Sequence, residues 1–205
     1  MVFYLKINRR ETYTKHNLQR WIDAISLMDD SRVFILCDND DLQDEIISRV
    51  RFSIDYEFIR SENGGALGRF VEKTMEPHWY GAAYAHGTTF QHAARNGYEQ
   101  FWNIDADDTF FALSPSRLSE LLMKVQNYAT DNAISLFSLD MWYSRSRGNH
   151  WSFGITYTDD RIDWMRTMLN EDNIRGFIES KPGLRNIDAY FSYLRNKKVA
   201  KIETF

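Results

Sequence analysis

Phe101-Trp102-Asn103-Ile104-Asp105-Ala106-Asp107-Asp108 is a short apolar run that passes straight into carboxylates spaced D-x-D-D. Aspartate is depleted in strands and like charges repel, so a strand that ends this way gains something from the cluster. A divalent cation supplies that gain, because a hard ion prefers oxygen ligands. Magnesium and manganese in turn favour substrates that carry phosphates, which makes a nucleotide or a phosphorylated compound the expected ligand.

Upstream of this stretch, strand and helix patterns alternate. Val2–Ile7 is β-rich and reads as a first strand. Lys15–Met28 places Leu18, Trp21, Ile22, Ile25 and Met28 at helical spacing, with Thr14 as its cap. Arg32–Cys37 is a continuous apolar run, the pattern of a buried parallel strand, and it ends at Asp38-Asn39-Asp40-Asp41. Leu42–Val50 reads as a short helix capped by Asp40 or Asp41, and Tyr56–Arg60 as a third strand. The turn signal Glu62-Asn63-Gly64-Gly65 leads to a helix over Leu67–Met75. Tyr80–Asn96 predicts a longer helix stopped by Gly97, and Tyr98–Ile104 is the strand that carries the carboxylates.

The pattern downstream is less regular. Ser114 and Pro115 start a helix that runs to about Tyr128. Ala133–Met141 and His150–Thr158 read as strands, separated by a polar, basic loop. Asp160–Leu169 reads as helical, Asn170–Arg185 as mostly loop, Ile187–Asn196 as a last helix and Val199–Ile202 as a closing strand. The expected fold class is therefore α/β: a Rossmann-like mixed, mainly parallel sheet with flanking helices. No linker or repeat divides the chain, so residues 1–205 are read as a single domain, with residues 1–110 as a nucleotide-binding half and residues 111–205 as an acceptor-binding half.

Bulk composition narrows the functional classes. The length suits one domain with a sizeable core. A net charge of −4 argues against a broad basic surface for nucleic acid. Cys37 is the one cysteine and lies inside an apolar run, so it reads as a buried thiol in a reducing compartment. The start, MVFYLKINRRE, has too short an apolar stretch for a signal peptide, and no window is long and apolar enough for a membrane span. A cytoplasmic location is expected, with peripheral attachment at the inner face of the membrane left open. The five histidines lack an H-x-x-x-H pair, which removes the usual zinc hydrolase pattern, and Phe110 stands where an EF-hand loop needs glycine.

In open α/β sheets ligands bind outside the carboxyl ends of the strands. Three expected strand ends carry polar clusters: Asn8-Arg9-Arg10, Asp38-Asn39-Asp40 and Asp105-Ala106-Asp107-Asp108. Taken singly, each could be a solvated loop or a helix cap. Arg95 is the basic residue nearest the carboxylates in sequence and is a candidate diphosphate contact, although a surface charge fits it as well. Arg145, Arg147 and His150 are candidates for an acceptor anion.

The segment WNIDADD, preceded by a helix ending HAARNGYE, resembles the centre of family 2-like glycosyltransferases with the GT-A fold. LKINRRETYTKHNLQRWIDAI is similar to their first strand and helix, and VFILCDND to their second strand. The usual proline-threonine-tyrosine-asparagine type ending of the first strand is replaced here by LKINRR.

The resemblance implies a GT-A-like fold and the transfer of a sugar from a nucleoside-diphosphate sugar to a hydroxyl acceptor. The donor is most readily a UDP-sugar, and the acceptor a saccharide or lipid-linked saccharide, as in bacterial surface polysaccharide or glycoconjugate synthesis. It implies a divalent metal, Mn2+ or Mg2+, held by Asp105, Asp107 and Asp108, with Asp107 as the direct ligand. Asp105 would contact ribose, sugar or the metal's water shell. Asp38, with Asn39 beside it, would contact the base, and Asn8 and Arg9 would line the donor site. Asp188 matches the position of the acidic residue that acts as base in inverting members, although it also suits the first turn of a helix.

Two other readings compete. Asp105-Ala106-Asp107-Asp108-Thr109 also satisfies the D-x-D-x-T signature of haloacid-dehalogenase-like phosphatases, which place that motif on their first strand. A non-catalytic metal-binding or protein-binding domain could use the same acidic clusters.

Overall fold

In the computed structural model of the chain, the described residues are 1–7, 14–37, 40–60, 80–106, 113–132, 136–138, 153–156, 171–181 and 202–204. Strand β1 (Val2–Lys6) is followed by helix α1 (Thr14–Ile25), β2 (Arg32–Cys37), α2 (Asp40–Arg49) and β3 (Tyr56–Arg60). Helix α3 (Tyr80–Arg95) leads into β4 (Gln100–Asp105), then α4 (Pro115–Asp131), β5 (Leu136–Ser138) and β6 (Phe153–Thr156). Helix α5 (Glu171–Ser180) and β7 (Ile202–Thr204) complete the described elements.

All of these strands join one sheet in the order β3-β2-β1-β4-β6-β5-β7. The first four are mutually parallel, β6 runs antiparallel to both β4 and β5, and β7 is parallel to β5. The mixed, mainly parallel α/β sheet anticipated from the alternating patterns is therefore present, with β6 the one reversed strand among the described residues.

The period of two along each strand sorts side chains to opposite faces. Phe3 and Leu5, Val33, Ile35 and Cys37, and Trp102 and Ile104 pack into one cluster with Leu18, Trp21, Ile22 and Ile25 of α1. Ile46 of α2 and Leu118, Leu122 and Val125 of α4 complete that face. The alternate residues turn to the other face. There Tyr4 stacks on Phe34 and meets Phe101 edge-on, under His92 and Phe90 of α3. Strands β1, β2 and β4 are thus buried on both sides, which is why their sequences are continuous apolar runs. Cys37 is buried, as its sequence setting indicated.

Termini of helices follow local chemistry. Gly97 has φ +69, and the amides of Tyr98 and Gly97 donate to the carbonyls of Ala93 and Ala94 at 3.0 and 3.3 Å. This is a Schellman closure, which needs the left-handed conformation that glycine adopts freely. Ser114 caps α4 by accepting from the Arg117 amide at 3.4 Å, with Pro115 in the first turn.

Several boundaries differ from the sequence reading. Residues 171–180 form α5 rather than loop, because Ile174 and Phe177 are buried and draw a weakly helical sequence into a packed turn. Thr14, Asp40 and Asp41 are first-turn residues of their helices rather than caps. The aspartates still suit that place, where the helix dipole favours negative charge. Leu136–Ser138 and Phe153–Thr156 are strand within the expected spans Ala133–Met141 and His150–Thr158, and Ile202 of the expected closing strand lies in β7; the remaining positions of those spans lie outside the described residues. The helices expected over Leu67–Met75, Asp160–Leu169 and Ile187–Asn196 lie outside the described residues.

Candidate functional site

The register of the parallel strands brings their carboxyl ends to one edge. Lys6 lies beside Leu36 on one side and Asp105 on the other, and Cys37 lies beside Arg60. The chain therefore delivers the ends of β3, β2, β1 and β4 side by side, in the place where ligands bind in sheets of this kind.

Among the described residues, two ion pairs mark that edge. Arg60, at the end of β3, pairs with Asp40 at the start of α2, and both are exposed. An exposed pair of this type adds little stability. The second pair is of another kind. Lys6 Nζ lies 2.7 Å from Asp105 Oδ1, and the lysine side chain is only 6% exposed against 26% for the aspartate. The amide of Ala106 donates to the Lys6 carbonyl at 2.9 Å, extending the ladder past the carboxylate and fixing its backbone.

Beneath this pair, on the α3 side of the sheet, lies a small polar core. His86 is buried, with its ring 3.1 Å (Nε2) and 3.3 Å (Nδ1) from Lys6 Nζ. Asn103 is fully buried and brings Nδ2 to 2.9 Å from His86 Nδ1. Alternation explains the cluster: Asn103 and Asp105 share one face of β4, Lys6 turns to the same face of β1, and α3 supplies the histidine.

Burial, reinforced by the Lys6 charge, holds the His86 pKa well below its ordinary value, so the ring is neutral. A neutral imidazole has one lone pair, so Lys6 and the Asn103 amide nitrogen cannot both donate to it. Among the described residues, the buried Asn103 Oδ1 has no hydrogen-bond partner.

Histidine burial has a measurable consequence. His92, hydrogen-bonded through Nδ1 to the Tyr4 hydroxyl at 2.8 Å, also has a lowered pKa. Burial is the main cause; the Glu57 charge opposes it, and Arg32 and Arg95 add to it. With both histidines below 6.5 in the folded chain, the unfolded state binds more protons as pH falls through that value. Stability should therefore be greatest above about pH 7 and decline between roughly pH 6.5 and 5. Urea midpoints measured across that range should fall with pH, and the slope should flatten in His86→Gln. A midpoint that rises on acidification would contradict the neutral assignment.

The site residues expected from sequence divide clearly. Asp105 stands at the end of β4, at the centre of the edge. Arg95 does not join it: α3 returns across the sheet, so its last turn lies beside the amino-terminal ends of the strands, near His92 and Tyr98. Arg95 is exposed in that turn. Asn8, Arg9, Asp38, Asn39, Asp107, Asp108 and Asp188 lie outside the described residues, as do Arg145, Arg147 and His150. Among the described residues, no group of three or more His, Cys, Asp or Glu side chains could hold a metal ion, and no helix is long and apolar enough to cross a membrane.

Lys6, His86 and Asn103 were not singled out by sequence reasoning. The available signal was the alternation of polar residues, Asn103 then Asp105, within a strand otherwise apolar. Their partners are separated from them by 80 and 17 positions in the chain, so only the fold reveals them.

This strand order, with four parallel strands and one reversed, is a GT-A-like α/β arrangement. The chain superposes over its whole length on mouse xyloside xylosyltransferase 1 in its apo form, covering 84% of that chain, with a TM-score of 0.59 at 8% identity. It also superposes over its whole length on a protein of Desulfovibrio desulfuricans G20 assigned as a nucleotide-diphospho-sugar transferase. The match covers 78% of that chain, with a TM-score of 0.57 at 9% identity. No protein-family profile matches the sequence, and no curated protein matches it.

Proposed function

We propose that the chain is a metal-dependent glycosyltransferase that moves a sugar from a nucleoside-diphosphate sugar to a hydroxyl acceptor. The observation that carries this reading is the end of β4. A buried strand at the centre of a parallel sheet delivers Asp105 to the ligand-binding edge, and the sequence continues at once into Asp107 and Asp108. The GT-A-like fold supports the same class of chemistry, although fold alone does not define a reaction.

The donor set suits a hard cation, since every side chain in D-x-D-D offers carboxylate oxygen. Bound there by Asp107 and Asp108, Mn2+ or Mg2+ would offset the negative charge that develops on a departing nucleoside diphosphate. Asp105 is held by Lys6 at a fixed place on the edge, where it would accept hydrogen bonds from donor hydroxyls. Asn8, Arg9, Asp38 and Asn39, each following closely on a strand end, would contact base and diphosphate. Asp188 would take the acceptor proton in an inverting reaction. The acceptor would be a saccharide or a lipid-linked saccharide, and a UDP-sugar the donor.

The phosphatase reading has less support. It requires its nucleophilic aspartate on the first strand, whereas Asp105 ends β4, the fourth described strand in chain order, which pairs with the reversed β6.

The test is release of nucleoside diphosphate from a panel of nucleotide sugars, with and without manganese. At least one donor should be cleaved faster with the metal. Intact donors throughout, alongside hydrolysis of simple phosphomonoesters that is lost in Asp105→Asn, would replace this reading by the phosphatase.

A further inference from the structure

Lys6 is an unusual residue for its position. A lysine is seldom enclosed unless it is paired, and this one is 7% exposed, at the end of a central strand. Its ammonium is held from two directions. Asp105 Oδ1 stands 2.7 Å away on the neighbouring strand, and the neutral His86 ring lies behind it at 3.1 Å. His86 is itself fixed by Asn103, so the lysine cannot swing away without vacating a buried polar core.

This arrangement changes what Asp105 offers a cation. The Lys6–Asp105 ion pair carries no net charge as a unit, and a dication approaching Asp105 would also be repelled by the lysine.

We infer that Lys6 is a positioning residue that neutralises Asp105 and withholds it from direct coordination of the divalent cation. The inference rests on the glycosyltransferase reading, and it distinguishes one carboxylate of that site from the others. His86 and Asn103 serve it by holding the ammonium in place.

Manganese binding in the presence of UDP, measured from the paramagnetic resonance signal of free Mn2+, tests this without reference to turnover. Lys6→Met exposes the Asp105 charge and should tighten Mn2+ on the order of tenfold. Lys6→Arg keeps the charge and should bind as the parent does. Lys6→Met combined with Asp105→Asn removes both charges together, leaves no lone buried charge, and should bind Mn2+ within about threefold of the parent.

A tenfold or greater loss in the double variant would show Asp105 to be a direct ligand and overturn the inference. Unchanged or weaker binding in a folded Lys6→Met would overturn the neutralising role, which a merely structural lysine would not have. Should Lys6→Met fail to fold, the double variant decides alone. Parent protein that binds neither Mn2+ nor UDP would overturn the glycosyltransferase reading itself. A parent that binds both, with the wrong pattern among variants, overturns only the role of Lys6.

Discussion

Asp107→Ala should lower manganese-dependent release of nucleoside diphosphate by on the order of 100- to 1000-fold, the scale of losing a group that stabilises developing charge in the transition state. The size follows from the proposed division of labour. If Asp105 is neutralised by Lys6, the cation depends on the remaining carboxylates, and removing Asp107 leaves Asp108 without its neighbour. The far-UV spectrum should remain that of the parent, which separates a chemical loss from an unfolded chain. A variant that keeps more than about a third of the parent rate would remove Asp107 from the centre of the mechanism.

Trp102→Ala should cost about 3–5 kcal/mol of stability, the range for deleting a large aromatic from a packed core. Trp102 is fully buried on the central strand, in the cluster that joins the sheet to α1, α2 and α4. It also precedes Asn103 and Asp105, so its packing fixes the strand that presents the carboxylate. Against a typical stability of about 5–15 kcal/mol the loss is severe, and urea denaturation should show it as a midpoint shift with little change in slope. A cost below about 1 kcal/mol would mean that the site can collapse around the missing indole.

Much of the fold was legible because its strongest signals are local. Continuous apolar runs such as Arg32–Cys37 read as buried strands, the spacing of Leu18, Trp21, Ile22 and Ile25 read as a helix face, and Gly97 and Ser114-Pro115 marked termini that the backbone confirms. Helix α5 was missed because Asn173 and Gly176 weaken its propensity, while Ile174, Phe177 and Ile178, at helical spacing, gain their weight only when packed.

The site was legible in one dimension only. Asp105 could be placed at a strand end from its pattern, but its partner could not. The match of Lys6 to Asp105 is a fact of strand register, and that of His86 to Lys6 a fact of which helix covers which face. Arg95 shows the complementary limit of reading distance from sequence. A helix that leads into a parallel strand finishes at the far edge of the sheet, so the residues closest in sequence to the start of β4 are distant from its end.

The central claim, that the carboxyl edge of this sheet binds a nucleoside diphosphate with a divalent cation, meets its most direct test in thermal denaturation of the parent chain. Each nucleoside diphosphate is added with and without manganese. A ligand bound only by the folded state raises the melting temperature by mass action. The account predicts a shift for at least one nucleotide, UDP foremost, that is larger when manganese is present. No shift with any nucleotide, or a shift produced by calcium alone and indifferent to nucleotide, would contradict it and favour a non-catalytic metal-binding domain.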